Sequence, residues 1–121
     1  MNNSRLFRAF GYATRGILDV FLHCANMRIH LSAGATAIFF AFFLKISKIE
    51  WCLILLCIFV VMASEMMNSA IEYTVDLVTK EQKELARKAK DAAAGAVLIF
   101  AILSLFIAAI IFIPKIQWLL Q

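Results

Sequence analysis

The chain has 121 residues, 64% of them hydrophobic, and a formal net charge of +4. Soluble domains carry roughly 45–50% apolar residues, so the composition excludes a water-soluble globule of this size and calls for a bilayer. The length suits a single domain, 1–121. The basic balance requires no nucleic acid, because a membrane surface already accounts for it.

The basic residues are unevenly spread. Arg5, Arg8, Arg15 and Arg28 precede the first long apolar run, and Lys80, Lys83, Arg87, Lys88 and Lys90 lie between the second and third. Lys45, Lys48 and Lys115 remain for the other side. The positive-inside rule then places the N-terminus and the 79–91 segment in the cytoplasm. Cys24, Cys52 and Cys57 are odd in number and form no CxxC pair, so neither a disulfide framework nor a zinc site is expected. The N-terminal stretch, with arginines at 5, 8 and 15, lacks the apolar core and cleavage site of a signal peptide.

In chain order, residues 4–22 read as an amphipathic helix, within a surface element taken as 4–25. Leu6, Phe7, Phe10, Ile17, Leu18 and Phe21 share one face, and Arg5, Arg8, Tyr12, Arg15 and Asp19 the other. Arginine on the polar side suits a helix lying in the membrane interface. Residues 29–46 form a first span, short for a hydrocarbon core of about 30 Å. A polar turn at 46–50 and Trp51 lead into a second span, 51–78, whose later part turns polar. Residues 79–91 are charged and expected to be helical, being rich in Ala, Glu, Lys and Leu without Gly or Pro. The third span is expected at 92–114, closed by Pro114, Lys115 and Trp118. The fold class is thus an all-α membrane protein: a surface helix plus three transmembrane helices.

The polar end of the second span carries the chemistry. On a helix, Glu65, Asn68, Ser69, Glu72 and Asp76 fall within a sector of roughly 100°. Glu65 and Glu72 stand roughly 10 Å apart along the axis. Ionisable groups at membrane depth cost several kcal/mol, and the plainer reading, a polar seam gluing helices together, fits one Asn or Ser better than three aligned acids. Aligned carboxylates repel and need a cation, which suggests magnesium, typical of nucleotide sites. Lys90–Asp91 falls where the third span is expected to begin. A helix N-terminus there offers free N–H groups to phosphate; the plainer reading is a snorkelling lysine and a capping aspartate. There is no GxxxxGK[ST], GxGxxG, HRD or DFG pattern.

The run Glu65-x-x-Asn68-Ser69-Ala70-Ile71-Glu72-x-x-x-Asp76, followed by Ala89-Lys90-Asp91 and Ala94-Gly95-Ala96-Val97-Leu98, resembles the prokaryotic diacylglycerol kinase/undecaprenol kinase family. Arg5, Gly11-Tyr12, Gly16 and Arg28-Ile29-His30 extend the resemblance over nearly the whole chain. It implies a homotrimer with shared active sites in the bacterial inner (cytoplasmic) membrane, phosphorylating a lipid hydroxyl with ATP and Mg2+. It implies Glu65 as general base, Glu72 as magnesium ligand, and Arg5, Tyr12, Glu72, Glu81, Gln82, Lys83, Lys90 and Asp91 at the nucleotide, with Asn68 and Asp76 supporting the site. These roles suit phosphoryl transfer, which needs positioning and charge neutralisation more than covalent chemistry. Arg28-Ile29-His30 and Ala93–Leu98 resemble the undecaprenol branch more than the diacylglycerol branch.

One position departs from the family. Four residues before Arg28 the family has a glutamate that helps bind magnesium, and here stands Cys24, a poor magnesium ligand. Asp19 or His23 compensates, water fills the gap, or metal affinity falls. Two rival classes remain at this point: a small proton-coupled transporter using Glu65 as its ion-binding acid, and a structural subunit whose stripe only holds partners.

Overall fold

The computed structural model describes residues 3–121. Four helices follow one another: α1 (Asn3–His23), α2 (Ala25–Phe43), α3 (Lys48–Val78) and α4 (Glu84–Leu119), with no strand among the described residues. α3 and α4 pack along one another, α2 lies against α3, and α1 meets α2 and α3 only near its C-terminal end. Among the described residues α1 makes no contact with α4.

Among the described residues, α3 and α4 are long and apolar enough to cross a membrane. Their apolar side chains also face outward: Phe59 is 64% exposed and Ile110 72%. Helices that are apolar all round need hydrocarbon, not water, as their surroundings. α2 is shorter, 19 residues or roughly 28 Å, and its first turns carry Asn26, Arg28 and His30. α2 comes close to α3 at Gly34, where an added Cβ would lie 3.1 Å from Ile58 Cγ2.

The Ser47 end is tightly built. Ala41, Ile46, Ile54 and Ile111 form a buried cluster, flanked by Leu44, Trp51 and Phe112. α2 ends with the Ile46 N–H donating to the Ala41 carbonyl and the Lys45 N–H to that of Phe42, both at 3.2 Å. This is the Schellman pattern, which needs a left-handed residue between them. Lys45 adopts it at φ 48°, a conformation that a side chain disfavours by about 1 kcal/mol; burying Ile46 offsets that cost. α3 then starts with a capping box. The Ser47 N–H donates to Glu50 Oε2 at 2.6 Å, and the Glu50 N–H to Ser47 Oγ at 3.3 Å. Lys115 of α4 reaches the same carboxylate at 3.1 Å.

The helix boundaries differ from the sequence expectation in three places. α2 runs over 25–43 instead of 29–46, because the Schellman turn takes Leu44 to Ile46. The 79–91 segment and the span expected at 92–114 are one helix starting at Glu84; only Thr79 to Lys83 is non-helical. That helix also passes through Pro114 to Leu119. Proline removes one backbone donor, and a helix within a bundle tolerates that loss.

Candidate active site

Along the inner face of α3 the polar residues change from covered to open. Glu65 is 3% exposed, Asn68 3% and Ser69 2%, Glu72 is half-buried and Asp76 exposed. The polar neighbours of Glu65 are Asn26 and His30 of α2, with Glu72 further along its own helix. Asn26 and His30 are spaced i, i+4 on α2, a pairing on one helical face that sequence reasoning left unused. Asn68 Nδ2 donates to Glu72 Oε1 at 3.1 Å. A carboxylate only accepts, which fixes the orientation of the amide, and Asn68 Oδ1 is left buried without a partner. Orphaned acceptors of this kind are rare.

The next turns of α3 enter a charged cleft of about 610 Å³, lined by Asp76, Glu81, Gln82, Lys83, Lys90 and Asp91 among others. Its floor is the non-helical connection, where Thr79 Oγ1 accepts from the Glu81 N–H at 3.1 Å. Lys90 Nζ donates to Asp76 Oδ1 at 2.5 Å, Arg87 pairs with Asp91 at 2.6 Å, and Lys83 with Glu81 at 3.5 Å. This volume lies within the range of small-molecule sites, roughly 300–1,000 Å³.

One sequence expectation needs correction here. Lys90 and Asp91 do not mark a helix N-terminus, since α4 has already begun at Glu84. The free N–H groups belong to the turn after Lys83, whose side chain makes no capping bond, and Asp91 pairs with Arg87 instead of capping. Arg5 and Tyr12 lie apart from the cleft: they line a separate shallow hollow on α1 with Arg8 and Ala9. A single chain thus joins Asp76, Glu81, Gln82, Lys83, Lys90 and Asp91, but not Arg5 or Tyr12.

Cys24 sits at the break between α1 and α2, in extended backbone at φ −92° and ψ 117°. Its Sγ lies 3.3 Å from Ser69 Oγ and 3.6 Å from the Tyr73 hydroxyl. Asp19 and His23 face each other at 3.1 Å, and the other Asp19 oxygen accepts from the Tyr73 hydroxyl at 3.5 Å. Tyr73 and Ser69 were not singled out as partners of Cys24, and a tertiary contact of this kind leaves no mark in sequence spacing.

A family model described as prokaryotic diacylglycerol kinase matches residues 11–112. The chain belongs to the prokaryotic diacylglycerol kinase family. Among the relatives of this family member, the undecaprenol kinase of Bacillus subtilis is 42% identical over 93% of this chain and 91% of its own length. The diacylglycerol kinase of Escherichia coli is 34% identical, over 84% of this chain and 83% of its own. That of Haemophilus influenzae is 32% identical, over 79% and 81%. As a prokaryotic diacylglycerol kinase family member the chain is a lipid kinase, an enzyme that uses ATP. The transporter reading finds no support in these relatives, which are kinases.

Proposed function

We propose that this kinase transfers the γ-phosphoryl group of ATP to the primary hydroxyl of undecaprenol at the cytoplasmic face of the bacterial inner membrane. The observation that carries this reading is the shared face of α3: a buried Glu65, then Asn68 bonded to Glu72, and one turn on Asp76, which lines the charged cleft and pairs with Lys90. A lipid alcohol reaches Glu65 from the bilayer while its chain stays in hydrocarbon, and a nucleotide reaches Lys90 from water. The similarity to an undecaprenol kinase over nearly the whole chain supports the choice of lipid.

In this reading Glu65 accepts the hydroxyl proton as the alcohol oxygen attacks the γ-phosphorus and the bond to the leaving ADP oxygen breaks. Lys90 exchanges Asp76 for phosphate oxygens, and the first turn of α4, through Glu84 and Ala86, lines the same cleft. Asn68 holds one oxygen of Glu72 and so orients its carboxylate. Magnesium takes one or two carboxylates besides phosphate oxygens and water. Glu72 and the unpartnered Asn68 Oδ1 are hard oxygen donors that fit it; Cys24, turned to Ser69 and Tyr73, is not among them. Held by Glu72 and Asn68, the ion would supply charge neutralisation for the transferring phosphate.

The same proposal takes α2 as the third membrane span, puts the Thr79–Lys83 connection in the cytoplasm, and assembles the chain as a homotrimer. Arg5 and Tyr12 stand away from their own chain's cleft, and three slender helices cannot enclose a nucleotide and a lipid together, which supports sharing between subunits. The test is to incubate the purified protein with labelled ATP, magnesium and each lipid in turn. Label is expected in undecaprenol. Label only in diacylglycerol overturns the substrate, and label in neither overturns the function.

A further inference from the structure

α1 is weakly held by apolar packing. Val20 is its one buried residue among those described, and most of its other side chains are exposed. What fastens it is a polar chain at its C-terminal end. Cys24 Sγ meets Ser69 Oγ at 3.3 Å, the Tyr73 hydroxyl stands 3.6 Å from that sulfur, and the same hydroxyl points to Asp19 Oδ2 at 3.5 Å. The hydroxyl contact to Asp19 is long for an O–H···O bond, yet together the three contacts join Asp19 of α1 and the Cys24 corner to two successive turns of α3. Ser69 and Tyr73 flank Glu72, so this fastening sits directly beside the carboxylate stripe.

We infer that Tyr73 is a positioning residue: it clasps the Cys24 corner and Asp19, and so sets where the surface helix lies relative to the active-site face of α3, with no metal ion in the fastening. A thiol, a phenol and an aliphatic hydroxyl are poor magnesium ligands, and Asp19, the one carboxylate of the fastening, is engaged by the Tyr73 hydroxyl and by His23. The placement of α1 is therefore independent of magnesium. This deepens the proposed function, because α1 carries Arg5 and Tyr12, which that reading sets at the nucleotide; only the kinetic arm of the test rests on it.

The experiment is hydrogen–deuterium exchange on the full-length protein in nanodiscs, without nucleotide, followed in the peptide covering residues 17–27. Tyr73→Phe is expected to speed exchange there about fivefold, the opening that follows loss of the hydroxyl's two weak contacts, to Cys24 and Asp19, while a peptide from 48–60 is unchanged. Asp19→Ala is expected to act likewise and Asp19→Asn, which keeps an acceptor, to stay native. Removing magnesium with EDTA is expected to leave the native rate alone. Unchanged exchange in Tyr73→Phe, or acceleration by EDTA equal to that variant's, overturns the clasp. In the kinase assay Tyr73→Phe is expected to raise the KM for MgATP several-fold with kcat nearly unchanged. Faster exchange with a native KM overturns the positioning role. Faster exchange in a protein that phosphorylates neither lipid leaves the clasp standing and removes the kinase reading instead.

Discussion

The two ends of the helix bundle use carboxylates in opposite ways. At the Ser47 end Glu50 is fully engaged: it accepts from a backbone N–H in a capping box and from Lys115, next to a buried cluster of Ile46, Ile54 and Ile111. At the Thr79 end Glu65 lies buried beside Asn26 and His30, Glu72 shares one oxygen with Asn68, and Asp76 pairs with an ammonium group at the rim of an open cleft. At the Ser47 end the carboxylate is closed off by backbone, lysine and core, whereas at the Thr79 end the acids line up beside an amide oxygen, Asn68 Oδ1, that is left without a donor.

The sharpest way to break this contrast is Glu65→Gln. The loss of a general base is expected to lower turnover about 10²–10⁴-fold, while circular dichroism and melting in detergent stay native; full turnover removes the proposed base. Next is Lys90→Ala, where a charge-assisted contact to phosphate is lost. The KM for MgATP is expected to rise about tenfold or more, and an unchanged KM places the nucleotide elsewhere. Cys24→Glu adds an oxygen ligand beside Ser69 and is expected to lower the magnesium concentration for half-maximal rate several-fold. A titration with no shift shows that the corner does not reach the metal.

The Ser47 end is expected to answer in stability instead of rate. Ser47→Ala removes half of the capping box, and about 1 kcal/mol of stability should go with it, visible as a lower melting temperature with KM for MgATP intact. A change in KM would erase the division between the two ends. Smallest is Lys45→Gly, which relieves a left-handed residue and is expected to add up to about 1 kcal/mol, read from the same melting curve.

Much of this arrangement could be read before any coordinates. The 3.6-residue period put Glu65, Asn68, Ser69, Glu72 and Asp76 on one face of α3, because a helix through those residues has no other way to arrange them. The Ala-, Glu- and Lys-rich residues after Thr79 announced a helix, but not where it starts: they favour helix on both sides of Asp91, so composition holds no boundary there, and the expected start at 92 moved to Glu84. Lys45 gave no sign of its left-handed backbone, since glycine is the usual mark and the cause lies in burying Ile46. The Cys24–Ser69–Tyr73 contact was equally silent, because it joins two helices far apart in the chain. The orphaned oxygen of Asn68 was silent too, being a property of the packed amide and not of its position on the wheel.

The unbroken course of α4 from Glu84 past Ile111 has a mechanical consequence. Lys90 and the isoleucine anchor at the opposite end ride on a single stiff rod, so a phosphate cannot draw the lysine inward by bending a joint between them. In the proposed function, accommodation of an arriving nucleotide would fall to the non-helical stretch from Thr79 to Lys83 that borders the cleft, or else to a tilt of the entire shaft that the Ser47 end must feel.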